Sequence, residues 1–222
     1  SGKIGDTYPN GYKGFYVMKY EMSQEQYMEF LNKLPYEAQK ARTIGDALDD
    51  LQEGDYVFGK RGSAEASNRN GIILVDRQEG ASVLFGCDLD KTDDGRGLEA
   101  DGQAIACNYL TVNDMLAYAQ WCGLRPLSEM EYEKMCRRPY PVRPEKGEYA
   151  WNSSEGAIFA KGLEEAGKKT ERVREGNVNA RQVLPGPVRC GIFATELPKQ
   201  SSAGSSFWGV MELSVLPDIR RL

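Results

Sequence analysis

The sequence predicts an α+β fold in which short, well-capped helices sit among short strands and long irregular stretches. Three observations predict it. Ser23 with Gln26, and Ser128 with Glu131, form capping boxes, in which a hydroxyl and a side-chain carbonyl satisfy the first amides of a helix reciprocally. Short runs rich in aromatic and β-branched residues, such as Gly71-Ile72-Ile73-Leu74-Val75, read as strands. Between these pieces the chain keeps returning to Gly, Pro and Asn, the residues of turns.

In chain order, Gly14 to Met22 lacks a breaker and carries three aromatic residues, so it reads as a strand entering the first helix. That helix is expected over roughly 24–34, because Tyr27, Phe30, Leu31 and Leu34 recur at helical spacing until Pro35. From about 40 to 101 the pattern weakens to a loop-rich insertion carrying two short apolar runs, 55–58 and 71–75. Thr111 then caps a helix that carries Asp114 in its first turn, where a carboxylate suits the helix dipole, and ends at Gly123. Met115, Tyr118, Ala119 and Cys122 are its expected buried stripe. Ser128 opens another helix, about 129–137, which Pro139 stops. Beyond it the chain reads as mostly irregular, and one domain over 1–222 is expected, with an atypical end at 215–222.

Composition narrows the chemistry. With 41% hydrophobic and 27% charged residues, a 222-residue chain has material for a sizeable core. A net charge of −5 without clustered Lys and Arg argues against a nucleic-acid surface. The chain has no histidine, which excludes Ser-His-Asp and Cys-His catalysis and histidine-based zinc sites. No apolar run reaches the roughly 18 residues that cross a bilayer, and the start Ser1-Gly2-Lys3 lacks signal-peptide character. The cysteines at 87, 107, 122, 136 and 190 show no Cys-x-x-Cys spacing. Each reads first as a structural thiol, Cys122 and Cys136 as small buried hydrophobes, while Cys87 and Cys107, which flank an acidic loop, could pair only in an oxidising compartment.

Four short patterns could carry function. Gly54 to Arg61 nearly matches a phosphate loop, but Arg61 replaces the hydroxyl that ligates magnesium, and Tyr56-Val57-Phe58 suits a strand. Asp90, Thr92, Asp94, Gly95 and Asp101 occupy positions 1, 3, 5, 6 and 12 of a calcium loop, which makes calcium the one cofactor the residues suggest. A solvated acidic turn is the simpler reading, since position 12 is Asp rather than the longer Glu and the flanks do not look like paired helices. Glu129 and Glu133 share a helical face, and dipole complementation explains them better than paired-carboxylate catalysis. Asn152-Ser153-Ser154 is formally a glycosylation sequon, without other support for a secretory setting.

The run Asn108-Tyr109-Leu110-Thr111-Val112-Asn113-Asp114, followed by Arg125-Pro126-Leu127-Ser128-Glu129-Met130-Glu131-Tyr132-Glu133, resembles the signature of the sulfatase-modifying-factor group, related to formylglycine-generating enzymes. The resemblance covers about 14–32, 104–152 and 176–213. It implies the C-type-lectin-like fold, with two to three short helices around small antiparallel sheets and extensive loops. It also implies scaffold roles for Trp121 and Trp151, leaving Trp208 less committed. Asn177-Val178 could match a segment that ligates calcium in the family. After Ser214 the sequence departs from the family's Gly-Asn-x-Trp-Glu motif, beyond which the enzymes carry their redox-active cysteine pair. No catalytic residue is therefore assigned.

The expected function is a non-catalytic ligand-binding or surface-recognition module for a glycan or protein, placed at a bacterial cell surface or in the periplasm. The alternatives are a truncated structural remnant of the family and a formylglycine-generating oxidase of substrate cysteine. Neither nucleic acid nor a membrane span is expected.

Overall fold

The computed structural model describes residues 5, 7–60, 63, 65–77, 82–91, 101–139, 141–143, 146–151, 156–179, 184, 186–194 and 200–213. Its elements are helix α1 (Gln24–Leu31), helix α2 (Tyr36–Ala41), two short 3₁₀ turns (Gly45–Asp50 and Ser67–Arg69), strands β1 (Ile72–Arg77) and β2 (Val83–Cys87), helix α3 (Val112–Trp121), helix α4 (Glu129–Cys136), strands β3 (Lys161–Glu164) and β4 (Arg172–Glu175), and helix α5 (Gln200–Ala203). The strands form two separate antiparallel hairpins. β1 and β2 pair from Ile72 with Cys87 to Arg77 with Val83, with a bulge between Leu74 and Asp76.

The capping boxes form as the sequence dictates. Ser23 Oγ accepts from Gln26 N at 3.2 Å while Gln26 Oε1 accepts from Ser23 N at 3.0 Å. Ser128 and Glu131 repeat the arrangement. Glu131 also forms a forked pair with Arg125 at 2.7 and 2.8 Å, which together with the Ser128 amide holds its carboxyl down at about 2. In α3 the partner of Thr111 is Asp114 itself, whose carboxylate accepts from both Thr111 N and Oγ1.

The principal core joins Tyr27, Phe30 and Leu31 of α1 to Leu48, Leu51, Val57, Phe58, Ile72, Leu74, Val83, Phe85 and Tyr118. Much of it therefore comes from the 40–101 stretch, where the run 71–75 becomes most of β1, the run 55–58 makes only a single bridge from Tyr56 to Ile73, and β2 falls outside both expected runs. A smaller core gathers Ala160, Leu184, Val188, Ile192, Phe193 and Met211. Amide side chains, Gln24 and Gln39 buried and Asn32 partly so, complete the backbone hydrogen bonding of the principal core. Asn32 exchanges two bonds with Phe85, Gln39 two with Val83, and Gln24 bridges Arg69 O to Gly71 N. Buried backbone groups need such partners, and here side chains stand where a further strand would otherwise pair.

Several expectations are corrected. Gly14 to Met22 is not a strand: its bonds go singly, from Cys107 N to Met22 O and from Met211 N to Lys19 O, and Tyr16 is 97% exposed. α1 stops at Leu31 because Asn32 turns its amide to Phe85. In α3 the buried face is Asp114 and Tyr118, whereas Met115 and Cys122 are exposed and Ala119 is half-buried. Cys136 is likewise only half-buried. Cys87 and Cys107 are both free thiols, in line with the structural-thiol reading of each cysteine. The region after Pro139, expected as irregular, contains β3 and β4, joined across the hairpin by Lys161–Glu175 and Arg172–Glu164 ion pairs at 3.0 and 2.8 Å.

Candidate functional site

Three places combine geometry with chemistry. The first is an acidic cluster. Asp88, Asp90 and Asp101 bring carboxylate oxygens within 4.8 Å of one another, with Asp88 and Asp101 buried and Asp90 exposed. Gly71 permits this closeness, since a Cβ there would lie 2.9 Å from Leu89 Cα and 3.0 Å from Asp101 O. Gln103 Nε2 donates to Asp101 Oδ2 at 3.1 Å, and the Lys91 ammonium sits 4.6 Å from the centre of the neighbouring Tyr56 ring. Carboxylates gathered this way suit a hard cation such as calcium. Asp90 and Asp101, the expected first and twelfth loop positions, are thus brought together. Asp88 lies outside that pattern and was invisible to it. Thr92, Asp94 and Gly95 fall outside the described residues.

The second place is a cleft of about 290 Å³ bounded by Tyr20, Glu21 and the start of α1 on one side and by Lys169, Arg189 and Cys190 on the other. Burial raises the Glu21 carboxyl above its ordinary value. Behind Glu21 stands Glu212, which is 5% exposed and holds a left-handed backbone (φ 65°) uncommon outside glycine. Its Oε1 accepts from Gly191 N at 2.7 Å and Ile192 N at 3.2 Å. Its Oε2 is buried without a hydrogen-bond partner. Burial, reinforced by the Glu21 charge, pushes the Glu212 carboxyl up to about 7 against the pull of the two amides. Gly191 is needed at this spot, because a Cβ would meet the Tyr20 ring at 2.7 Å. No sequence pattern links 21, 190 and 212, and reasoning from motifs missed this site altogether.

The third place is the turn 206–210, tied by Gly209 N to Ser206 O at 3.0 Å and Ser206 N to Val210 O at 2.8 Å. It presents Phe207 and Trp208, 46% and 48% exposed, with ring centres 5.1 Å apart and edge to face. Trp208 Nε1 donates to Arg137 O at 2.8 Å, which fixes the indole while leaving half of it in solvent.

The model of the sulfatase-modifying factor enzyme 1-like domain matches residues 9–186. The chain belongs to that family. Its fold is accordingly C-type-lectin-like, in agreement with short helices and two small antiparallel hairpins among the described residues. No curated protein and no solved structure matches the chain.

Within this family member the remaining sequence-marked residues take structural places. Tyr56, Val57 and Phe58 of the phosphate-loop match are buried, and Val57 N bonds Ile72 O at 3.0 Å, so they are core; Arg61 lies outside the described residues. Glu133 pairs with Arg137 at 3.1 Å rather than with Glu129. Trp151 is buried and stacks on Tyr149 at 4.6 Å, and Trp121, though half in solvent, packs on Phe30 and Tyr118. Asn177 spends its side chain on the backbone of Gly156, Ile158 and Ser201. The sequon at 152–154 lies outside the described residues. Burial pushes the Cys87 and Cys190 thiols up to about 12 and raises Cys107 and Cys136 as well. These four are neutral thiols near pH 7, and a thiol reacts as its thiolate. Among the described residues no helix is long and apolar enough to cross a membrane.

Proposed function

We propose that this family member is a non-catalytic ligand-binding module, recognising a glycan or protein at a bacterial cell surface or in the periplasm. The observation that carries the reading is the fixed turn presenting Phe207 and Trp208. A half-exposed indole whose N–H is already anchored loses little conformational freedom on binding, so its apolar face is available to a ligand at low entropic cost. The high thiol pKa values support binding over thiol oxidation. Titration against glycan and protein panels is expected to give saturable binding. Trp208→Ala is expected to weaken that binding by at least about tenfold, as for a central aromatic anchor, with the far-ultraviolet spectrum unchanged. Affinity indifferent to that change would remove the turn from the binding surface.

The same reading assigns calcium to the Asp88, Asp90 and Asp101 cluster, whose carboxylate oxygens lie within 4.8 Å of one another and so within reach of one hard cation. Calcium at a hundredfold excess over its dissociation constant stabilises a folded chain by about 2.7 kcal/mol. The melting temperature is therefore expected to rise by roughly 5–10 °C in saturating calcium, and Asp101→Asn to abolish the rise. A melting curve unmoved by calcium would show that the cluster holds no calcium.

A further inference from the structure

The cleft beside Glu21 has a charge arrangement that its own residues leave incomplete. Its cations are committed: Lys169 lies 3.8 Å from Glu25, and Arg189 spends its side chain on Glu171 O at 2.7 Å and Cys190 O at 3.2 Å. Among the described residues the Glu21 carboxylate makes no hydrogen bond or ion pair. Glu212 adds a second carboxylate behind it, with Oε2 buried and unpartnered. Arg189 offsets only part of the burial and Glu21 charge that disfavour an ionised Glu212, and a cation entering beside Glu21 relieves the pair further.

The walls select the kind of cation. A calcium ion takes 6–8 oxygens, yet Ser23 and Gln26 spend their side-chain oxygens on the α1 capping box and Glu25 faces Lys169. The cavity, at about 290 Å³, is also far larger than a bare ion requires. Tyr20 gives it an aromatic wall, and the chain's own Lys19 ammonium already sits 5.3 Å from that ring's centre. An aromatic face beside a carboxylate matches an organic ammonium on an aliphatic stem. We propose that this cleft receives the protonated primary amine of a lysine side chain on a protein ligand, with Glu21 pairing the ammonium and Glu212 supplying negative charge from behind. The proposal rests on the recognition reading and narrows its ligand class, through a site separate from the Trp208 turn.

The charged and titratable groups around Glu212 are Glu21, Cys190 and Arg189, and Cys190 remains a neutral thiol throughout the working range. Acidification from pH 8 to pH 5.5 protonates Glu212 and should weaken binding severalfold. The test is calorimetric titration of the full chain with Nα-acetyl-lysine methylamide, using the norleucine analogue as the uncharged control. Saturable binding of the lysine probe alone is expected, weakened at least tenfold by Glu21→Gln. Glu212→Gln should weaken it severalfold at pH 8 and flatten its pH dependence, and thermal unfolding checks that both variants fold. Equal binding of the norleucine analogue, or an unchanged affinity in Glu21→Gln, overturns the proposal. Trp208→Ala separates the two readings: it should leave lysine-probe affinity intact, while loss of panel binding in Trp208→Ala alone keeps the recognition reading even if the cleft proposal fails.

Discussion

Glu171→Ala is expected to destabilise the protein by about 3–5 kcal/mol, the range for breaking a buried ion pair at one partner, and so to lower its melting temperature by roughly 6–20 °C for a chain of this size. Glu171 is fully buried, and its carboxylate is the acceptor at which three distant segments meet. Arg69, whose side chain is 11% exposed, reaches it with a forked guanidinium; Gly167 N donates to it at 2.8 Å; Arg189 N donates at 3.0 Å. Removing the carboxylate leaves a guanidinium charge and two amides without their acceptor in a dry environment, and that desolvation dominates the loss.

The same logic fixes the control for that experiment. Arg69→Met combined with Glu171→Leu removes both charges and should recover part of the loss, since isosteric apolar pairs often replace buried ion pairs at little cost. Recovery should be incomplete, because Gly167 N and Arg189 N still lack an acceptor. Arg189 also lines the cleft, so the single variant should loosen the cleft wall and weaken lysine-probe binding together with stability. A melting shift of less than about 2 °C in Glu171→Ala, small against the 2–4 °C expected per kcal/mol, would show that water replaces the carboxylate freely and would sink this account of the junction.

How far the sequence foretold this structure depended on the range over which each element is determined. The boxes at Ser23 and Ser128 and the cap at Thr111 were legible because donor and acceptor lie three residues apart. The buried stripe of α3 was misread for a reason visible in Asp114. Its carboxylate is satisfied by Thr111, so a polar residue occupies the core-facing position beside Tyr118, and counting apolar residues alone rotates the helix by about one residue. β3 and β4 read as irregular because Lys-Gly-Leu-Glu and Arg-Val-Arg-Glu hold together largely through cross-strand charge pairs, which apolar alternation does not register. Gly14 to Met22 has strand composition, but tertiary context hands its backbone bonds to separate partners. Of the candidate sites, one acidic pair, Asp90 with Asp101, was legible as a spacing. The Glu21 and Glu212 pair is created only when the two ends of the chain are folded against the 189–194 loop.

That pair leads to the second large effect, a dependence of stability on pH with a definite sign. The Glu212 carboxyl stands at about 7 in the folded protein against an ordinary value of 4.5, chiefly through burial and then through Glu21. Between those values the folded chain keeps a proton that the unfolded chain has released. The stabilisation is therefore fully present below about 4.5, declines as pH rises, and is gone above about 7. At about 1.4 kcal/mol for each tenfold change in proton affinity, the loss amounts to about 3 kcal/mol. Glu131 does not obscure it, because its carboxyl is held low and its contribution is lost only as pH falls from 4.5 towards 2. Glu212→Gln is neutral at every pH and its amide oxygen can still accept from Gly191 and Ile192. It should match or fall slightly below the parent at pH 5 and exceed it by about 2–3 kcal/mol at pH 8, as read from urea unfolding at several pH values. A difference that stays constant from pH 5 to pH 8 would place the Glu212 proton affinity in the ordinary range and remove the charge strain from the cleft. If instead the stability rises at pH 8 while lysine-probe affinity falls, one substitution exposes both sides of the arrangement. A buried carboxylate that weakens the fold at neutral pH is then kept in place by what the cleft binds, in the way functional sites retain locally unfavourable groups.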